Sequence, residues 1–277
     1  MQKLHDPCIK TGDFANLCNT NKRTLFYYDE IGLFSPACTD ENGYRFYSES
    51  QCDVFFTITC LREIGMPLKE IKHYIDHRNP ESLRSLLHEQ QEKVRAELAR
   101  LKRIEQVIRT KTELVDLSET LHFEETYSDV SLESVPSEYL VISPRIDSAS
   151  HDIVFSTLCE HIGYCNHNGL NAGHPYGAML STASLCSRKW DVYAHFFTKT
   201  AEYPQSHPCH VKPEGQYAVT YLRGNYYDAK DAYEHLLAFI KENSLHMGEF
   251  SYKEAVLDEL AVADAKDYIT KISINVW

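Results

Sequence analysis

Thr24-Leu25-Phe26-Tyr27-Tyr28-Asp29-Glu30-Ile31-Gly32-Leu33, followed shortly by Asn42-Gly43-Tyr44-Arg45-Phe46-Tyr47, is the stretch on which the fold turns. Thr20 is placed to cap a helix running from Asn21 to Glu30, and Gly32 to end it. Asn42-Gly43 supplies the positive φ of a tight hairpin, and the aromatic residues after it favour a strand. Ser48-Glu49-Ser50-Gln51 has the spacing of a capping box and opens a helix through Ile64. Gly65 and Pro67 then separate it from a helix reaching about Ile75. Residues 1–78 therefore read as short helices around a small hairpin.

Beyond this segment the pattern changes. Residues 81–117 contain neither Gly nor Pro, and Leu87, Val94, Leu101, Ile108 and Val115 recur every seventh position. A row of that period over five repeats wants a partner helix. The positions three residues on are Gln90, Glu97, Ile104 and Lys111, too polar for a parallel zipper. An antiparallel pair or packing against another domain fits such a row, and the expectation over 79–118 is a long helix that pairs antiparallel with a second copy.

Residues 119–277 repeat themselves at an offset of 78. Tyr139 maps onto Tyr217, Val141 onto Val219, Arg145 onto Arg223, Phe155 onto Tyr233, Leu158 onto Leu236 and Ile162 onto Ile240. Each copy reads strand, helix, strand, strand, with helices near 150–164 and 228–243. Two such βαββ copies joined edge to edge predict a pseudo-symmetric α+β sheet with a central cleft.

Charge narrows the possible partners. The formal net charge is −12, of which residues 119–277 carry 11 basic and 22 acidic side chains. That segment repels nucleic acid and anionic membranes, and residues 1–78, at net −2, are not basic overall. Nucleic-acid binding must therefore rest on a local motif. Hydrophobic residues at 43% and charged residues at 25% exclude wholesale disorder, and no apolar run is long enough to span a bilayer. The first ten residues lack the apolar core of an export signal, and the nine cysteines include no CxxC pair; the expectation is a cytoplasmic protein with reduced thiols. Cys159, His161, Cys165, His167 and His174 cluster in sequence but match no structural zinc spacing. No Gly-x-Ser-x-Gly elbow or phosphate loop is present. No metal, cofactor or enzymatic activity is expected.

The segment from Lys10 to Tyr47, quoted above in its two runs, resembles the winged helix-turn-helix of the MerR family of transcription regulators. The likeness covers roughly residues 8–78 and extends into the long helix. It implies that the helix from Asn21 enters the major groove of double-stranded promoter DNA, with Lys22 and Arg23 on its first turn. Tyr27 and Tyr28 would offer hydroxyls to phosphates, with Arg45 and Tyr47 on the wing and Arg62 behind it. Phe26 stands where many members carry Arg, which removes one positive contact. In the alternative reading Tyr27, Tyr28 and Leu33 are plain core residues.

Residues 125–277 resemble the gyrase-inhibitor-like effector domain of the multidrug-sensing branch, on Tyr176-Gly177-Ala178, on Tyr193 with His195 and Phe196, and on Asp267-Tyr268. The resemblance implies a pocket for a small lipophilic effector, walled by Phe155, Tyr176, Tyr193 and Tyr268, where aromatic faces stack on flat ligands. The branch also places a carboxylate after a late-strand tyrosine. Here Tyr252 is followed by Lys253, with Glu254 next, so Tyr252, Lys253 and Glu254 join the candidate set and the sign of the effector's charge stays open. The implied function is a homodimeric activator that distorts a promoter for RNA polymerase when an effector binds. The alternative is a drug-sequestering or hydrolytic domain with an N-terminal interaction module.

Overall fold

The computed structural model describes residues 8–123, 126–146 and 148–277. It divides into two compact units, with the boundary inside the long helix, between Arg100 and Leu101. No helix among the described residues is long and apolar enough to cross a membrane.

In the first unit, β1 (Ile9–Lys10) leads into α1 (Thr11–Leu17) and α2 (Lys22–Glu30), joined by a turn in which Asn19 has φ +50°. Asparagine tolerates that conformation better than other residues with a Cβ. Asn21, not Thr20, caps α2: its side chain accepts a hydrogen bond from the Thr24 amide at 2.8 Å. The cap therefore lies one residue later than the sequence suggested. The wing is β2 (Cys38–Thr39) and β3 (Arg45–Tyr47), with β1 on the other side of β3. Asp40 Oδ1 accepts from the amides of Asn42 and Tyr44 at 3.0 and 2.7 Å, and Gly43 takes φ +82°, which closes the turn.

Gln51 begins α3 (Gln51–Glu63), and its side chain accepts from the Ser48 amide at 3.0 Å, one half of the expected capping box. After α4 (Leu68–Asp76), Pro80 opens α5 (Pro80–Thr120), 41 residues long. An aromatic core of Phe14, Tyr28, Phe34, Tyr47 and Phe55 holds this unit together; Phe14 stacks on Tyr47 with centroids 4.6 Å apart. Leu83 and Leu86 of α5 pack on its edge. Leu87, Val94, Leu101, Ile108 and Val115, the sevenfold row, are all exposed in the single chain.

The second unit is one eight-stranded antiparallel sheet carrying the duplication. The first copy is β4 (Ser131–Val135), β5 (Glu138–Ile142), α6 (His151–His167), β6 (Gly177–Ser181), the short α7 (Thr182–Cys186) and β7 (His195–Thr200). In the second copy come β8 (Cys209–Lys212), β9 (Gly215–Arg223), α8 (Lys230–Glu242), β10 (Met247–Leu257) and β11 (Ile269–Val276). The strand order is β4-β9-β11-β10-β6-β7-β5-β8. The copies meet edge to edge through β10 and β6, as the repeat predicts.

The sequence reading missed the leading strands. Each copy is ββαββ, not βαββ, and the first strands are exchanged: β4 pairs with β9 and β8 with β5. The exchange keeps the 78-residue offset. Leu132 faces Ala218 as His210 faces Leu140, and Ser131 faces Val219 as Cys209 faces Val141. Edge strands this short and partly exposed carry little hydrophobic alternation to betray them.

Candidate functional sites

The first unit presents one exposed side of α2. Leu25 and Tyr28 turn inward at helical spacing, whereas Lys22, Arg23, Phe26 and Tyr27 face outward. Arg45 of β3 reaches back to this helix: its Nε donates to Asp29 Oδ2 at 2.7 Å, and its guanidinium lies 4.9 Å from the Phe26 ring centroid. The wing is thereby tied to the helix by a half-buried ion pair, and Phe26 serves as the arginine's platform. Arg62, on α3, is exposed and donates to the Tyr28 hydroxyl at 2.8 Å.

Two candidate contact residues are corrected here. Tyr28 and Tyr47 are buried in the aromatic core, and burial pushes the Tyr47 hydroxyl up to about 12. Both rings stack or pack against the core aromatics Phe14, Phe34 and Phe55, so these tyrosines pack instead of reaching outward. Lys22, Arg23 and Tyr27 remain exposed on a common face.

The second unit contains a cavity of about 600 Å³ between α6 and the sheet. Val154, Phe155, Leu158 and Ile162 of α6 form one wall, and Val107 and Lys111 of α5 form another. His174 and Tyr176 come from the loop after α6, Tyr193 and Phe196 from the region of β7, and Lys253, Ala255 and Thr270 from β10 and β11. Tyr226, Tyr227, Asp258 and Glu259 line it too, with His151 at the start of α6.

Two contacts fix the loop on α5. Thr110 Oγ1 donates to the Ala172 carbonyl at 3.0 Å. Gly173 has φ +99°, and a Cβ there would lie 2.8 Å from the Val107 Cα. Only glycine lets loop and helix backbone come this close.

Lys253 is buried, 7% exposed. Its Nζ donates to the Tyr226 carbonyl oxygen and lies 5.8 Å from the Tyr193 ring centroid. Burial lowers its ammonium to about 8, against an opposing pull from Asp228. The cavity's carboxylates are engaged elsewhere. Asp258 pairs with Lys111 at 3.5 Å, and Glu259 accepts from the Tyr226 hydroxyl at 2.9 Å. Tyr226 stacks on Tyr268 with centroids 5.2 Å apart.

Phe155, Tyr176, Tyr193 and Lys253 thus come together on the cavity, and three expected residues do not line it. Tyr268 stands behind the wall, supporting Tyr226. Tyr252 and Glu254 project from the opposite face of β10, because alternate residues of a strand point opposite ways. Tyr252 packs in a separate core and its hydroxyl meets His210 Nε2 at 2.8 Å. Glu254 sits in a four-charge cluster: Lys212 contacts Glu254 and Glu138 at 3.1 and 2.7 Å, and Lys199 contacts the same two carboxylates. Burial resists ionisation there, yet the two lysines outweigh it and hold both carboxylates below their usual range. Val107, Lys111, Asp258 and Glu259 were missed, since nothing in their spacing ties them to distant aromatics.

Of the histidine and cysteine cluster, only two members are packed in the interior. His161 and Cys165 are buried on α6, with His161 Nε2 3.0 Å from Thr198 Oγ1, and burial lowers the imidazole to about 4. Cys159 is exposed.

Comparison with known proteins bears on both units. The model for "MerR HTH family regulatory protein" matches residues 9–78, and that for "MerR, DNA binding" matches residues 57–111. Over 266 residues the chain is 32% identical to the multidrug-efflux transporter 2 regulator of Bacillus subtilis (strain 168), covering 96% of this chain and 95% of that one. The chain belongs to the MerR family. It is a DNA-binding transcription regulator related to regulators of multidrug efflux. A second relative, the multidrug-efflux transporter 1 regulator of the same organism, is 29% identical over 68% of this chain and 66% of its own length. Among solved structures, the EcmrR–DNA complex is 19% identical, covers 96% of this chain and 98% of that one, and has a TM-score of 0.45.

Proposed function

We propose that the protein works in the cytoplasm as a homodimeric, effector-responsive activator. Two copies join through the exposed sevenfold row of α5, antiparallel, because five exposed apolar side chains in register on one helix need a cover. Each copy lays α2 in the major groove of promoter DNA, with Lys22, Arg23 and Tyr27 facing the duplex and Arg45 and Arg62 toward flanking phosphates. A flat lipophilic effector occupies the cavity under α6. Binding favours one of two DNA-bound geometries and distorts the promoter spacer so that RNA polymerase engages both elements.

The observation that carries this reading is the cavity wall made by α5. Val107 and Lys111 line the cavity, and Ile108, between them in sequence, belongs to the exposed row. An occupant that shifts the helix by a fraction of a turn also shifts the row through which two copies meet. The relatives' names, which concern multidrug-efflux transporters, support an effector of the same broad kind.

Footprinting on the protein's own upstream region tests the proposal. The wild-type protein is expected to protect a near-palindrome, and the Arg23→Ala plus Tyr27→Ala double variant to lose that protection. Leu101→Lys with Ile108→Lys is expected to convert the sedimenting species from dimer to monomer. Specific protection by the first variant, or a dimer in the second, would refute the corresponding assignment.

A further inference from the structure

Lys253 presents an unusual electrostatic situation. Its side chain is buried on the cavity floor, and among the described residues no carboxylate lies within ion-pairing distance of Nζ. Asp228 pulls on it only at longer range. The ammonium gives one donor to the Tyr226 carbonyl, which leaves two more. Buried charges are normally paired, since desolvation without a counter-charge is costly. The charged groups around it offer no replacement, because Asp258 is committed to Lys111 and Glu259 to the Tyr226 hydroxyl.

A second polar group points the same way. Thr270 is buried and lines the cavity, and among the described residues its Oγ1 has no hydrogen-bond partner. On the β10–β11 ladder Lys253 faces Ile272 and Ala255 faces Thr270, so Lys253 and Thr270 share one face as diagonal neighbours. A cationic donor and an unfilled hydroxyl, side by side beneath aromatic walls, form a subsite for an oxyanion attached to a flat ring.

Resting on the reading of the cavity as the effector site, we infer that its preferred occupant is a flat aromatic monoanion. Its carboxylate-like group lies against Lys253 and Thr270, and its ring lies among Phe155, Tyr176 and Tyr193. The relevant titration belongs to Lys253. Burial raises Tyr193 to about 12 and Tyr226 further, while His174 is lowered by burial, so these groups do not change charge as pH rises from neutrality to about 9. Tyr176, Tyr227, His151, Lys111, Asp258 and Glu259 complete the titratable lining.

Three probes with one ring system test this: 2-naphthoate, 2-naphthamide and 2-naphthyltrimethylammonium, titrated calorimetrically into the full-length protein. At about pH 7 the carboxylate is expected to bind roughly tenfold more tightly than the neutral amide, and the cation more weakly than either. Raising the pH through the titration of Lys253 should weaken 2-naphthoate and leave 2-naphthamide unchanged. Lys253→Met should cost the carboxylate far more than the amide and bring the two to equal affinity in the variant, where retained amide binding reports an intact cavity. Thr270→Val should cost the carboxylate roughly threefold. A cation that binds as tightly as the carboxylate, or a carboxylate preference that survives Lys253→Met, overturns the inference and leaves the cavity as effector site. Failure of all three probes to bind overturns both.

Discussion

The two halves of the duplicated sheet treat equivalent helices in opposite ways. In α8, Ala232, Tyr233, Leu236 and Ile240 are all buried against the sheet, and Tyr233 stacks on Trp190 with centroids 5.9 Å apart. Their counterparts on α6 are Val154, Phe155, Leu158 and Ile162, and these line the cavity. Phe155 is 58% exposed where Tyr233 is 0% exposed. One copy commits its apolar helix face to the core, and the other leaves the same face open to a guest. A repeat can thus acquire a binding site by leaving one of its two packing interfaces unfilled, while its twin maintains stability.

That contrast sets the size and direction of what substitution does. Tyr233→Ala should destabilise the second unit by ~3–5 kcal/mol, the usual cost of emptying a packed aromatic site. Both tryptophans, Trp190 and Trp277, belong to this unit, so denaturation followed by tryptophan fluorescence reads it directly. If Tyr233→Ala proves mild, the two helices are not packed differently.

Glu254→Gln tests the face away from the cavity. It should cost ~3 kcal/mol, because Lys199 and Lys212 lose a buried partner, with no change in 2-naphthoate affinity. Glu254's native carboxyl is held below its unfolded value, so its contribution is complete above the ordinary carboxylate range and fades as the pH falls below it. The acid limb of the wild-type stability profile should therefore be shallower in the variant.

Lys253→Met tests the cavity floor, and its sign is reversed. The native ammonium is lowered from 10.5 to about 8, so burying its charge weakens the fold below about 8. Wild-type stability should rise as the pH increases from there toward 10.5. The variant should be more stable at neutral pH, by up to ~3 kcal/mol, and lack that alkaline rise. Phe155→Ala should show the smallest effect on stability, below ~1 kcal/mol, because half of the ring is already in contact with solvent. Its effect should appear in effector affinity.

Much of this contrast is legible in the amino-acid sequence. The offset of 78 residues located both helices and six of the eight strands, because buried positions repeat when a fold repeats. Asn42-Gly43 located the wing, since few other dipeptides accept that turn. The two exchanged edge strands escaped notice, being four or five residues long with little alternation. Which tyrosines line a surface and which fill a core was not legible either. Tyr27 and Tyr28 are adjacent and identical, and only the phase of α2 separates them. The strand pattern separated Lys253 from Glu254, but which side of the sheet would carry the cavity depended on how α6 stands over it.

Amide hydrogen exchange, with and without 2-naphthoate, tests the central claim most directly. In the free protein α6 is expected to exchange faster than α8, and the ligand is expected to slow α6 together with residues 107–111 of α5 while α8 stays as it was. Equal protection of the two helices in the free protein, or ligand protection that falls on α8 instead of α6, would contradict the account.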